Sequence, residues 1–134
     1  RVDRRQRQMC IRDSWHTATR GRVRMKSAEQ GKVAALSEAE LGRAFGSRAT
    51  FVQFSSAFCS PCRATKALLT DVTDDLPDVV HVEIDAESNL DLVRKLSIHS
   101  TPTTLILDRR GVEVGRAVGA PKRDQVIAAL AAIL

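Results

Sequence analysis

Two kinds of connection between apolar runs limit what this chain can fold into. Ala49 to Ser55, ATFVQFS, is rich in β-branched and aromatic residues and too short and apolar for a surface helix, so it reads as a buried strand. Val79 to Ile84 reads as a second strand. Between them, from Ser60 to about Asp75, Leu68, Leu69 and Val72 recur at helical spacing with Leu76 just beyond, and no Gly interrupts. A helix of that length is the crossover that parallel neighbours require. Thr103 to Leu107 and Val112 to Val118, by contrast, are separated only by Asp108-Arg109-Arg110-Gly111, which makes them a hairpin. Three further helices fit around these strands. Ser37 and Glu40 form a capping box ahead of Leu41, Ala44 and Phe45, with Gly46 as the stop. Leu90, Leu92, Val93 and Leu96 mark another helix, with Ser88 or Asn89 as its cap. Pro121 opens the last, whose apolar stripe is Val126, Ile127, Leu130, Ile133 and Leu134. Alternation followed by a terminal hairpin predicts an α/β domain, a mixed central sheet with helices on both faces. Val33 to Leu36 suits a weak edge strand.

A chain of 134 residues with 43% hydrophobic content can bury one compact core, so one domain is expected. The formal charge of +5 is unevenly spread. Residues 1–32 hold ten Lys and Arg against three Asp and Glu, whereas residues 33–134 hold eleven against thirteen. The first segment shows neither helical nor strand periodicity and reads as a disordered basic stretch, and residues 33–134 form the domain. Met9 to Ser14 within it reads as the translation of a transposon end used in sequencing libraries, hence an assembly artefact, with a natural basic tail as the alternative. Cys10 is kept out of the chemistry on either view. A slightly acidic domain without Tyr offers no nucleic-acid surface, so no nucleic-acid partner is expected. No run of about eighteen apolar residues is present, and the Arg-rich start lacks the apolar centre of a secretory signal. A cytoplasmic protein is the expectation for the sequence as it stands. If the true N-terminus is longer, the basic Gly21 to Arg24 suits the cytoplasmic flank of a membrane anchor.

The chemistry concentrates in Ser56 to Arg63, SAFCSPCR. Cys59 falls where the first strand gives way to a helix, and Pro61 sits in the first helical turn, where its missing N–H breaks no hydrogen bond. The sulfur of Cys59 therefore faces unpaired backbone donors and the positive end of a helix dipole, which favours the attacking thiolate. Cys62, one turn on, can reach Cys59 and resolve a mixed disulfide formed there. Two other readings stand beside this one. A structural metal needs four ligands and CxxC supplies two, and His81 and His99 show no paired spacing, so no metal is expected. Inert buried cysteines would require a proline-containing CxxC to fall at a helix start by accident. By position alone, Pro102 is a strand-start proline and Gly119 the end of a hairpin strand.

Phe51 to Arg63, Thr101-Pro102-Thr103 and Val118-Gly119 together resemble the thioredoxins and thioredoxin-like thiol-disulfide oxidoreductases, over roughly residues 34–134. The resemblance implies the thioredoxin fold, with Cys59 as exposed nucleophile, Cys62 as resolving thiol and Pro102 as a cis-proline facing them. It further implies that Thr101 offers its backbone to a substrate strand and that Gly119 lets that strand approach. Phe58 stands where the family usually has Trp and Ser60 where it has Gly, so the substrate-facing rim keeps an apolar wall but loses an indole donor. Gln53, six residues before Cys59, replaces a buried Asp that serves the resolving thiol's proton, and His81 replaces the Lys that commonly pairs with it. Exchanging both members avoids stranding one charge. Either His81 acts as base for Cys62, its ordinary pKa of about 6.5 suiting the task, or Gln53 and His81 satisfy one another by hydrogen bonding.

The expected activity is thiol-disulfide exchange with protein disulfides, as a reductant and without metal or organic cofactor, the redox-active disulfide Cys59–Cys62 carrying the electrons. Electron transfer in cell redox homeostasis follows, with a reductase or a membrane electron donor recharging a monomer. The alternative is a metal- or client-binding module of the same fold that does not turn over.

Overall fold

The computed structural model describes residues 22–25 and 35–133. Among them, β1 (Val23–Met25), β2 (Ala49–Ser55), β3 (Val79–Asp85), β4 (Thr103–Asp108) and β5 (Glu113–Val118) form one sheet in the order β1-β5-β4-β2-β3. The helices are α1 (Glu38–Leu41), α2 (Ser60–Asp74), α3 (Leu90–Lys95) and α4 (Arg123–Ala131). β2 and β3 are parallel, joined through α2, while β2–β4, β4–β5 and β1–β5 are antiparallel. The sheet is mixed for the reason the connections dictate: a helical crossover returns the chain in the same direction and a tight turn reverses it.

β2 lies between β4 and β3, and all seven of its residues are buried. Its side chains alternate between two cores. Phe51 packs with Leu69 and Val72 of α2 and with Val126 and Leu130 of α4, whereas Val52 and Phe54 pack with Leu41, Leu96 and Ile98 on the other face. β4 divides likewise, Ile106 to the first core and Leu105 and Leu107 to the second. Each such side chain contributes about 2 kcal/mol by leaving water. The alternation therefore fixes both register and the face each helix covers.

Several boundaries differ from the expectation. The capping box at Ser37 and Glu40 forms, but α1 stops at Gly42, in the left-handed region at φ 69°, rather than at Gly46. Ala44 and Phe45 lie beyond the helix, and Phe45 still packs on the core. α4 begins after the N-cap Lys122, with Pro121 ahead of it, because extended backbone is needed there before the first turn. Ile127 is 51% exposed, and Ala129 takes the inward position that Ile127 was expected to fill. Leu90 is likewise 54% exposed on α3. The edge strand expected at residues 33–36 reduces to one bridge, Ala35 to Val112, and residues 33–34 lie outside the described residues. The sheet's edge is instead β1, which pairs Val23 with Ala117 and Met25 with Gly115 inside the segment that lacks strand periodicity. Three residues are too few for a period of two to register, and small residues opposite let the strand lie close. The rest of residues 1–32, including Cys10 and the stretch at 9–14, falls outside the described residues apart from Arg22. No helix among the described residues is long and apolar enough to cross a membrane.

Candidate active site

β2 ends at Ser55, and four residues later Cys59 occupies the N-cap of α2 in extended backbone, with Pro61 in the first turn. Cys59 and Cys62 are joined as a disulfide, their Cα atoms 5.1 Å apart. The Cys62 N–H donates to the Cys59 Sγ at 3.2 Å, the placement of sulfur against a helix-start donor that the sequence predicts. The two sulfurs differ in access: Cys59 is partly exposed and Cys62 only 3% exposed. An incoming group therefore meets Cys59 first. Phe58, beside it, is 99% exposed, and Ser60 is exposed as well.

Two other loops meet the disulfide loop. The Thr101–Pro102 peptide bond is cis. The Ser56 and Thr101 hydroxyls share a hydrogen bond at 3.0 Å, which ties the segment before Cys59 to the segment before β4. The Gly119 N–H donates to the Pro102 carbonyl at 2.8 Å, tying in the end of β5. Gly119 has φ 92°, a conformation that favours glycine. These hydrogen bonds join three separate stretches of chain: the residues just ahead of Cys59, Thr101–Pro102 and Gly119.

Beneath the disulfide, Gln53 is wholly buried. Its amide nitrogen donates to the Cys62 carbonyl at 2.8 Å and to the Ser55 Oγ at 3.0 Å, and its oxygen lies 3.0 Å from His81 Nε2. The Cys62 carbonyl can only accept, which fixes the nitrogen end of the amide there and makes His81 Nε2 the donor to the Gln53 oxygen. Burial pushes the His81 pKa down; Glu83 opposes this, while Lys66 and Arg43 add to it, so the ring is neutral at neutral pH. The pair adopts the hydrogen-bonded arrangement. The Nε2–H is thereby engaged with Gln53, which leaves the ring's lone pair on Nδ1.

The sequence reading missed a cleft of about 310 Å³ alongside the disulfide, lined by Ser55, Cys59, Cys62, Arg63, Lys66, Glu83 and Asp85. Lys66 of α2 spans to Glu83 of β3 at 3.4 Å. Arg63 and Lys66 at i, i+3 and Glu83 and Asp85 at i, i+2 are signals of polar faces, but only packing of α2 on the sheet turns them toward one another. No group of three or more His, Cys, Asp or Glu among the described residues can hold a metal ion.

Comparison with known proteins extends this geometry. The sequence model of the thioredoxin family matches residues 32–132. A thioredoxin of Chlamydia trachomatis is 30% identical over 95 residues, covering 71% of this chain and 92% of that protein. Thioredoxin H-type 1 of Nicotiana tabacum is 30% identical over 73 residues, 54% of this chain and 57% of that protein. The chain spans about half the length of the plant relatives it matches. Among solved structures, the short form of spinach chloroplast thioredoxin F superposes with a TM-score of 0.58 at 28% identity, covering 66% of this chain and 78% of that one. With a matching family model over most of its length, the same fold and a CxxC disulfide at the start of α2, the chain belongs to the thioredoxin family.

Proposed function

We propose that this protein is a thiol-disulfide oxidoreductase that reduces protein disulfides. In the reduced protein, the Cys59 thiolate attacks one sulfur of a substrate disulfide, forming a mixed disulfide and expelling one substrate thiolate. Cys62, as thiolate, then attacks Cys59 Sγ, closing the Cys59–Cys62 bond and expelling the second. Two electrons pass to the substrate, and the protein is left oxidised. The observation that carries the reading is the hydrogen bond from the Cys62 N–H to Cys59 Sγ, since a sulfur so placed is stabilised as an anion and leaves or attacks readily.

The remaining residues take roles around that sulfur. Pro61 shapes the first turn, Phe58 and Ser60 form the wall that a substrate strand meets, and Thr101, Pro102 and Gly119 present backbone to it. Gln53 holds the Cys62 carbonyl and His81 holds Gln53. The Ser-Pro pair between the cysteines favours the reducing direction, and a reductase or membrane electron donor restores the dithiol of the monomer. The catalytic unit is residues 33–134, to whose sheet β1 of the basic segment adds an edge strand, and cytoplasmic redox homeostasis is the setting, at the membrane if an anchor precedes it. Insulin reduction with dithiothreitol by the purified chain, abolished in Cys59→Ser, supports this function. No acceleration over dithiothreitol alone, with zinc or copper retained stoichiometrically after dialysis, would replace it with the binding module. Equilibration with glutathione followed by alkylation measures the potential and hence the direction.

A further inference from the structure

We infer that Glu83 accepts the proton of Cys62 through the polar cleft beside the disulfide; this role rests on the exchange reaction proposed above. Cys62 is almost wholly buried yet lines the cleft, and its thiol must lose a proton before it can attack Cys59. Gln53, which grips the Cys62 carbonyl, cannot titrate, and His81, whose Nε2–H donates to Gln53, is not among the residues that line the cleft. The charged groups that line the cleft are Arg63 and Lys66 from α2 and Glu83 and Asp85 from β3, with His81 preceding them on β3; β2 contributes only the uncharged Ser55, with Gln53 buried behind it. Arg63 and Lys66 are cations and accept nothing. Asp85 is committed to its own loop, one oxygen accepting the Glu87 N–H at 2.9 Å and the other the Ser88 hydroxyl at 2.9 Å. Glu83 remains. Its contact with Lys66 is long for a hydrogen bond at 3.4 Å, so its carboxylate is held less firmly than that of Asp85, whose two oxygens are each fixed at 2.9 Å. In the parallel ladder Glu83 sits level with Gln53, the residue that grips the Cys62 carbonyl. At about 30 Å³ for each water, a cleft of this size admits several, so the proton travels along water and not by direct contact.

In the mixed disulfide, the Cys62 proton passes through water to the Glu83 carboxylate. The electron pair left on Cys62 Sγ forms the bond to Cys59 Sγ, and the bond from Cys59 to the substrate sulfur breaks with its pair on the substrate thiolate. Glu83 then returns the proton to that thiolate or to solvent. Lys66 holds the carboxylate at the cleft between turnovers.

The experiment is stopped-flow mixing of the reduced full chain with equimolar dithiobis-nitrobenzoate, an aromatic disulfide whose released thiolate is coloured. The first equivalent reports attack by Cys59 and the second reports release by Cys62. At about pH 7, Glu83→Gln is expected to leave the first phase unchanged and to slow the second by roughly tenfold to a hundredfold. At about pH 9.5, above the ordinary thiol pKa of about 8.5, hydroxide takes the proton and the two proteins converge. An unchanged second phase at neutral pH overturns the role of Glu83 while the exchange reaction stands. Equal slowing at both pH values overturns it too, since a merely structural effect would not fade with hydroxide. Absence of a second equivalent from the wild type at either pH defeats the exchange reaction itself.

Discussion

Gln53 meets three partners with one amide: the buried Cys62 carbonyl, the Ser55 hydroxyl and the half-buried His81 ring. Gln53→Leu keeps the volume but strands the Cys62 carbonyl and the His81 N–H, so a loss of roughly 2–4 kcal/mol is expected, read from urea unfolding. His81 supplies a pH dependence whose sign is fixed by its environment. Burial sets its folded pKa below the value of about 6.5 that an unfolded imidazole has, so the unfolded chain takes up the proton first. The contribution is complete above about pH 6.5 and declines as the pH falls below that, until the folded ring is itself protonated. Urea midpoints should therefore drop between about pH 7 and pH 5, and His81→Asn, which cannot titrate, should show a flatter profile over that window. Cys59, Pro61 and Cys62 were legible in the sequence because strand-to-helix geometry is local. The meeting of Gln53 with His81 was legible only through family resemblance. Glu83 was not legible at all, because its place beside Cys62 is created by the packing of α2 on β3.

At the scale of elements, the best-read feature is the capping box of α1, where Ser37 Oγ accepts the Glu40 N–H at 3.1 Å and Glu40 Oε1 accepts the Ser37 N–H at 3.2 Å. A spacing of three residues encodes it. β1 left no such trace, since a strand of three residues depends on what β5 offers it. A connection between β5 and α3 was equally hidden. Glu113 is fully buried and accepts from Arg116 Nε at 2.7 Å, and the same guanidinium donates to the Leu96 carbonyl at 2.7 Å at the end of α3. Arg116→Met takes a cation from a buried carboxylate and a donor from a helix end at once. A loss of about 3 kcal/mol is expected in urea unfolding. Arg116→Lys should recover only part of it, because an ammonium cannot reproduce the fork.

For the whole molecule, the two cores lie on the faces of the sheet, and the disulfide lies at the rim where β2 ends, α2 starts and the loops before β4 and after β5 converge. Stability and exchange chemistry are therefore separable. Phe58 projects almost entirely into solvent, so Phe58→Ser should change stability by no more than about 0.5 kcal/mol. It should nevertheless lower kcat/KM for insulin while sparing a small aromatic disulfide, as comparison of the two substrates would reveal. The order of elements was readable from connection lengths alone, but which loops converge was not, because hydrogen bonds such as Ser56 to Thr101 join residues 45 positions apart. β3, finally, is the outermost strand on the side of the cleft. Arg43 donates to its His81 carbonyl at 3.2 Å, and Glu83 and Asp85 set negative charge along it. A neighbouring molecule that tried to zip a strand onto this border would have to evict the guanidinium and press carboxylate against carboxylate. The charged border is thus an obstacle to edge-to-edge pairing, and removing its charges is expected to raise self-association at high protein concentration, as light scattering would read.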